Sequence, residues 1–243
     1  MKRLLVISCG LLALAACSPK PVTEASASAS APAAANLDAG FPKASIDGLP
    51  AGDYTIDPAH ASLTFKVNHL GFSHYTARFA KFDAKLNIDP AHPEAATLTA
   101  HIDPQSLALN APPAGFHDEL MGKGFFDAKL FPDIDFVSTK VEKTGDFTAR
   151  VTGNLTLHGV TKPATMDVTF NGGYPGLAGV DPHARIGFSA TGQLKRSDFG
   201  MGAGVPAPGS RLGVSDEVDF AIDAEMAGPA LKAAPAAAAA SSS

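Results

Sequence analysis

Residues 151–170, VTGNLTLHGVTKPATMDVTF, restrict what this chain can fold into more than any other stretch. Val151, Gly153, Leu155 and Leu157 alternate with Thr152, Asn154, Thr156 and His158. After the break HGVTKP, Ala164, Met166, Val168 and Phe170 alternate with Thr165, Asp167 and Thr169. A period of two with one apolar face belongs to a half-buried antiparallel strand, because successive side chains leave a strand on opposite sides. The break holds a glycine that permits a turn, and Pro163, which lacks an amide donor and belongs at a strand start or edge. The stretch therefore predicts a β-hairpin.

The same alternation recurs along the middle of the chain. Leu63, Phe65, Val67 and His69 share one face, as do Ala80, Phe82, Ala84, Leu86 and Ile88, and then Leu98, Ala100 and Ile102. Further on come Ile186, Phe188, Ala190, Gly192 and Leu194, and finally Val218, Phe220, Ile222, Ala224 and Met226; only residues 134–141 mix both faces. Asp-Pro pairs at Asp57, Asp89, Asp103 and Asp181 punctuate these runs. Aspartate caps a backbone amide and proline presets its own φ, so each reads as a turn. The recurring Asp57/His60, Asp89/His92 and Asp181/His183 spacings are expected to stay apart as turn corners rather than form ligand pairs. Many one-faced strands must stack as a sandwich or close as a barrel. Residues 112–123, PPAGFHDELMGK, break the strand pattern and allow a short helix over one mouth.

Four ordered segments identify a family resemblance: YTIDPAHASLTFKVNHLGFS at 54–73, FFDAKLFPDIDFVST at 125–139, LTLHGVTKP at 155–163 and KRSDFG at 195–200. Together they resemble the YceI-like proteins, bacterial periplasmic proteins of lipocalin-like fold that bind isoprenoids or other long-chain amphiphiles. The resemblance implies an all-β fold, a single antiparallel barrel of about eight strands with a short helix near one mouth. It also implies a binding protein rather than an enzyme, without a cofactor. The sequence departs from the family where Arg-Asp-x-His-Leu is common, since Phe116, His117, Asp118, Glu119 and Leu120 stand there. That loss of cationic groups points away from a diphosphate held at this position and towards a quinone or a neutral lipid.

The ends differ from the middle. Residues 1–16 carry Lys2 and Arg3 before an apolar run too short to span a bilayer, which is the layout of an export signal. The run ends in LAAC, resembling a lipobox whose Cys17 is acylated, with Ser18 resembling outer-membrane sorting. Residues 17–51 and 229–243 are rich in Ala, Ser and Pro and read as a disordered tether and tail flanking a barrel domain at 52–228. The expected location is the periplasm, with the membrane reached through acylated Cys17. Cys9 falls in the signal and Cys17 at its end, so the domain offers no disulfide and no thiolate for a metal. Removing Lys2 and Arg3 leaves 17 basic against 24 acidic residues, a net charge of −7. Nucleic acid is excluded as a partner by that balance; self-association into a homodimer is compatible with it.

Candidate binding residues follow from the inward phase and the matched segments: Phe65, Val67, His69, Phe72, Ala80, Phe82, Ala84, Leu98, Leu120, Phe125, Phe136, Leu155 and Phe188. Small residues on that phase, including Ala84, Ala100, Gly153 and Gly192, either leave room for a guest or make space for phenylalanines from facing strands. At roughly 0.8 kcal/mol per buried methylene, an isoprene unit of five carbons offers about 4 kcal/mol before ordering costs. A fatty-acid-like chain or a quinone tail would be held in the same way, with selectivity left to the polar end. His69 is the polar residue on the inward phase. An enzyme acting on a lipid or quinone would draw on His69 or on Asp118 and Glu119, and a ligand-free envelope spacer would need a solid interior. DFG at 198–200 and GMGAG at 200–204 lack the companion motifs of a kinase or a phosphate loop.

Overall fold

The structure, a computed structural model, describes residues 44–231. The expected export signal, Cys17 and most of the expected tether and tail lie outside the described residues. Among the described residues ten strands and one α-helix follow in order, besides three short 3-10 turns: β1 (Gly52–His69), β2 (Ser73–Phe79), β3 (Phe82–Ile88), β4 (Thr97–Ile102), β5 (Leu107–Ala108), α1 (Phe116–Leu120), β6 (Ile134–Lys143), β7 (Thr148–Leu157), β8 (Val160–Tyr174), β9 (His183–Lys195) and β10 (Val214–Ala230). Pairing is antiparallel throughout, and eight strands close a ring in the order β1, β3, β4, β6, β7, β8, β9, β10 and back to β1. Closure removes the free edges that a sheet of this length would expose. The two remaining strands extend one end of the barrel. β2 folds back on the second half of β1, from Leu63 opposite Phe79 to His69 opposite Ser73, and the short β5 pairs with the end of β2.

The β7–β8 hairpin forms as the alternation predicts, with a tighter turn. His158 and Gly159 have φ of 51° and 72°, a two-residue loop whose twist matches that of its strands. Val160 to Pro163 therefore belong to β8. Pro163 lies opposite Asn154 on β7, and β8 meets β9 only from Met166 onward, so no ladder partner waits for its missing amide. His158 Nδ1 lies 3.0 Å from the Phe199 carbonyl oxygen, and Phe131 packs edge-on against the His158 ring. The LTLHGVTKP and KRSDFG segments thus meet at one barrel end as mutual support.

The Asp-Pro sites behave alike locally and differently in the fold. Asp57, Asp89, Asp103 and Asp181 each accept the amide two residues on, at 2.8–3.1 Å. Three lie in connections, whereas Asp57 sits inside β1, where the register against β10 shifts between Ile56 and Ala61. A bulge, not a turn between strands, is what that aspartate makes. The expectation that these sites stay apart fails for two of them. Arg185 on β9 joins Asp57 through Nη1 at 2.8 Å and Asp181 through Nε at 2.8 Å, while His60 Nδ1 lies 3.1 Å from Asp57. The convergence is on a guanidinium, which explains it without a metal.

The core has a dense end. Tyr54 is fully buried, its hydroxyl donates to the Pro50 carbonyl at 2.7 Å, and its ring lies so close to Gly228 that no Cβ would fit. Leu86, Ala184, Ile186 and Met226 complete that cluster. On either side of 52–228, Leu49 packs against this cluster and the Leu231 amide donates to the Pro182 carbonyl.

Candidate ligand cavity

The barrel is hollow. A cavity of about 910 Å³ runs inside it, at the upper end of what small-molecule sites occupy. Eleven of the sequence-derived positions line it: Phe65, Val67 and His69 from β1, Phe82 and Ala84 from β3, Leu98 from β4, Leu120 from α1, Phe125 from the connection that follows, Phe136 from β6, Leu155 from β7 and Phe188 from β9. Each strand contributes alternate residues, so the wall is apolar because the sequence alternates.

Two expected positions fall outside. Phe72 stands in the turn between β1 and β2, is 86 % exposed and does not line the cavity. Leaving the strand at His69 ends the alternation that would have aimed it. Ala80 is also excluded, because Phe79 and Phe82 both point inward and the corner between β2 and β3 inserts one extra residue between them. That insertion puts the alanine out of phase with Phe82.

Small inward residues serve both purposes weighed from the sequence. At Gly153 an added Cβ would strike the Phe136 ring, and at Gly192 the Phe220 ring, so these glycines give space to phenylalanines on adjacent strands. Ala84 and Ala100 face each other across β3 and β4 and border open space, as do Ala164, Ala190 and Ala224. The cavity borders these alanines although eleven phenylalanines also line it.

Helix α1 covers part of the end where β1 finishes. Phe116 and Leu120, four residues apart and therefore on one face, line the cavity, while Asp118 and Glu119 face solvent. The position that resembles an arginine site in the family thus presents an aromatic ring to the interior.

Charged and imidazole side chains reach the cavity at only four points among the described residues: His69, Lys143, Asp146 and Arg196. The first three are exposed, His69 at the end of β1 and the others at the β6–β7 turn. Arg196 alone is buried, at 7 % exposure, and its burial lowers its pKa from the ordinary arginine value while nearby Asp216 acts in the opposite direction. Sequence reasoning missed it, although it continues the inward phase of Ile186, Phe188, Ala190, Gly192 and Leu194. Tyr75, Ala77 and Phe79 on β2 were missed as well; their alternation with Thr76 and Arg78 was the available signal.

Comparison with known proteins agrees with this architecture. The family described as YceI-like domain matches residues 54–226. The chain belongs to the YceI-like family. A UPF0312 protein of Pseudomonas putida is 41 % identical over 172 residues, covering 69 % of this chain and 86 % of that protein. A Vibrio cholerae UPF0312 protein is 38 % identical over 179 residues, covering 72 % and 87 %. Among solved structures, Burkholderia cenocepacia BcnA matches with a TM-score of 0.58 and 26 % identity over 70 % of this chain and 98 % of that one. The Campylobacter jejuni YceI protein gives 0.55 and 30 % over 68 % and 91 %. A polyisoprenoid binding domain from Saccharophagus degradans gives 0.54 at 14 % identity over 74 % and 100 %, a likeness of fold.

Proposed function

We propose that this YceI-like protein binds an isoprenoid or a similar long-chain amphiphile inside its barrel. The observation that carries the reading is the cavity itself: about 910 Å³ of space walled by alternate apolar residues of the closing strands. Burying a hydrocarbon there gains roughly 0.8 kcal/mol per methylene, so chain length sets affinity more than any polar contact does. The polyisoprenoid binding domain with the same fold supports the same class of guest. The candidate residues Phe65, Val67, Phe82, Ala84, Leu98, Leu120, Phe125, Phe136, Leu155 and Phe188 would then contact the chain, and His69 its entrance.

Binding without catalysis is the reading the geometry favours. Asp118 and Glu119 lie on the outer face of α1, and His69 has no hydrogen-bonded carboxylate among the described residues, so neither of the acid–base candidates read from the sequence is paired at the cavity. We further propose, on the export-signal layout of residues 1–16 and the LAAC segment, a periplasmic protein held to a membrane through acylated Cys17. Organic extraction of the natively purified full chain, followed by mass spectrometry, should release one class of long-chain amphiphile; an extract free of lipid, together with failure of the delipidated chain to take up geranylgeraniol, would refute the reading. Cys17→Ser should move the protein from the membrane fraction to the soluble one, and its retention in the membrane fraction would refute the anchor.

A further inference from the structure

Arg196 is a buried cation without a carboxylate. No acidic oxygen lies within 4.0 Å of it among the described residues, and its partners are backbone carbonyls. Nε donates to Ser215 at 2.9 Å, Nη1 to Met201 at 2.8 Å and Ala203 at 2.6 Å, and Nη2 to Val214 at 2.8 Å. A guanidinium carries five N–H groups, so one on Nη2 is left over. The nearest acid, Asp216, is engaged elsewhere, accepting from the Ser197 amide at 2.8 Å and hydroxyl at 2.7 Å. The residue also lines the cavity, next in phase after Leu194.

These bonds hold Arg196 in place by tying the turn after β9 to the connection that follows and to the start of β10, but neutral carbonyls do not cancel its charge. A buried charge left uncompensated is costly, and removing the charge is not open to arginine at any ordinary pH. Four carbonyl dipoles and the nearby charge of Asp216 stabilise the cation in part; an anionic oxygen arriving from the cavity would complete the compensation and take the remaining donor. None of the other lining groups offers this while buried.

Resting on the binding function proposed above, the geometry points to Arg196 as the head-group anchor, selecting amphiphiles whose polar end carries an anionic oxygen such as a carboxylate. The cation absent at Phe116 is thus supplied from a different element. The hydrocarbon chain fills the apolar length of the barrel while the head group rests at the end where β9 stops and His69 and Val214 pair. A charge-assisted hydrogen bond in such a site is worth roughly tenfold to a hundredfold in affinity.

The test uses the full chain, delipidated, with the neutral fluorophore N-phenyl-naphthylamine displaced by geranylgeranoic acid, geranylgeraniol and geranylgeranylamine, which share one hydrocarbon and differ in head group. The acid should displace the fluorophore at least about tenfold more tightly than the alcohol, and the amine should be the weakest. Equal affinities for acid and alcohol would overturn the anchor and leave the apolar cavity standing. Absence of displacement by all three would overturn the binding function and the anchor with it. Arg196→Met, which keeps the length of an apolar stem, should abolish the preference for the acid over the alcohol. A folded Arg196→Met protein that keeps the preference would overturn the assignment, and if that variant does not fold, the head-group series on the natural protein decides alone.

Discussion

Replacing Ala84 with phenylalanine distinguishes a hollow barrel from a filled one. Ala84 lies opposite Ala100, and both border the cavity, so a phenyl ring built there enters open space. Were the interior solid, the same ring would overpack it and destabilise the protein by about 1–3 kcal/mol. In a cavity it buries apolar surface worth about 1.5–3 kcal/mol before its ordering cost, so the free protein should hold its stability or gain slightly. At about 2–4 °C per kcal/mol for a domain of this size, the two cases lie on opposite sides of the natural melting temperature. The ring also takes up space that the guest needs. Excluding a single isoprene unit forfeits about 4 kcal/mol, roughly a thousandfold in affinity. Urea unfolding of the delipidated protein reads the first effect and fluorophore displacement by geranylgeraniol reads the second. An Ala84→Phe protein that is clearly destabilised yet binds geranylgeraniol as before would refute the reasoning on both counts.

Three further outcomes follow from the geometry. Gly159→Ala places a Cβ against the Phe131 ring at a φ of 72°, so chemical denaturation should show a loss of roughly 3 kcal/mol from the left-handed cost and the clash. Asp57 is held below the ordinary aspartate pKa by its hydrogen bond with His60, then by the Ala59 amide and Arg185, and Asp181 by the His183 amide and Arg185. Lowered values mean that the unfolded state binds more protons in acid, so their contribution is complete above the ordinary aspartate value and disappears as pH falls through the folded values; Asp57→Asn with Asp181→Asn should flatten that acid limb in urea midpoints. His101 is shifted the other way, its pKa raised by the hydrogen bond with Asp135 and by the charge of Asp133. Its contribution is present below the ordinary histidine value and is lost as pH rises through the folded one, a step that Asp135→Asn should remove from the same profile.

Much of the wall was legible because period-two alternation and inward orientation are one physical fact. The limits of that legibility are local departures from the period. Residues 134–141 look mixed because the register shifts between Ser138 and Lys140, after which Val141 takes up the inward position in place of the expected partner of Phe136. The corner at Ala80 and Lys81 shifts the phase by one residue, which carried Ala80 out of the cavity and hid β2. A reading confined to one strand at a time also cannot see convergence across the barrel. Asp57 and Asp181 meet only because Arg185 on β9 reaches both, and nothing in their local sequence announces a shared guanidinium. Arg196 shows a different limit: it lay on the correct phase, but a cation on an apolar face is ordinarily assigned to a strand end in solvent, and only the four carbonyls around it reveal that it is buried.

The central claim is that a hydrocarbon guest lies within the ring of strands. It is tested most directly by nuclear Overhauser contacts between the methyl groups of geranylgeraniol and isotope-labelled methyl groups of the full chain. Contacts to Ala84, Ala100, Leu98, Leu155 and Val168, all on the cavity wall, are the expected result. Contacts confined to Leu130, Val180 and Leu212, which stand exposed on the surface, would contradict it.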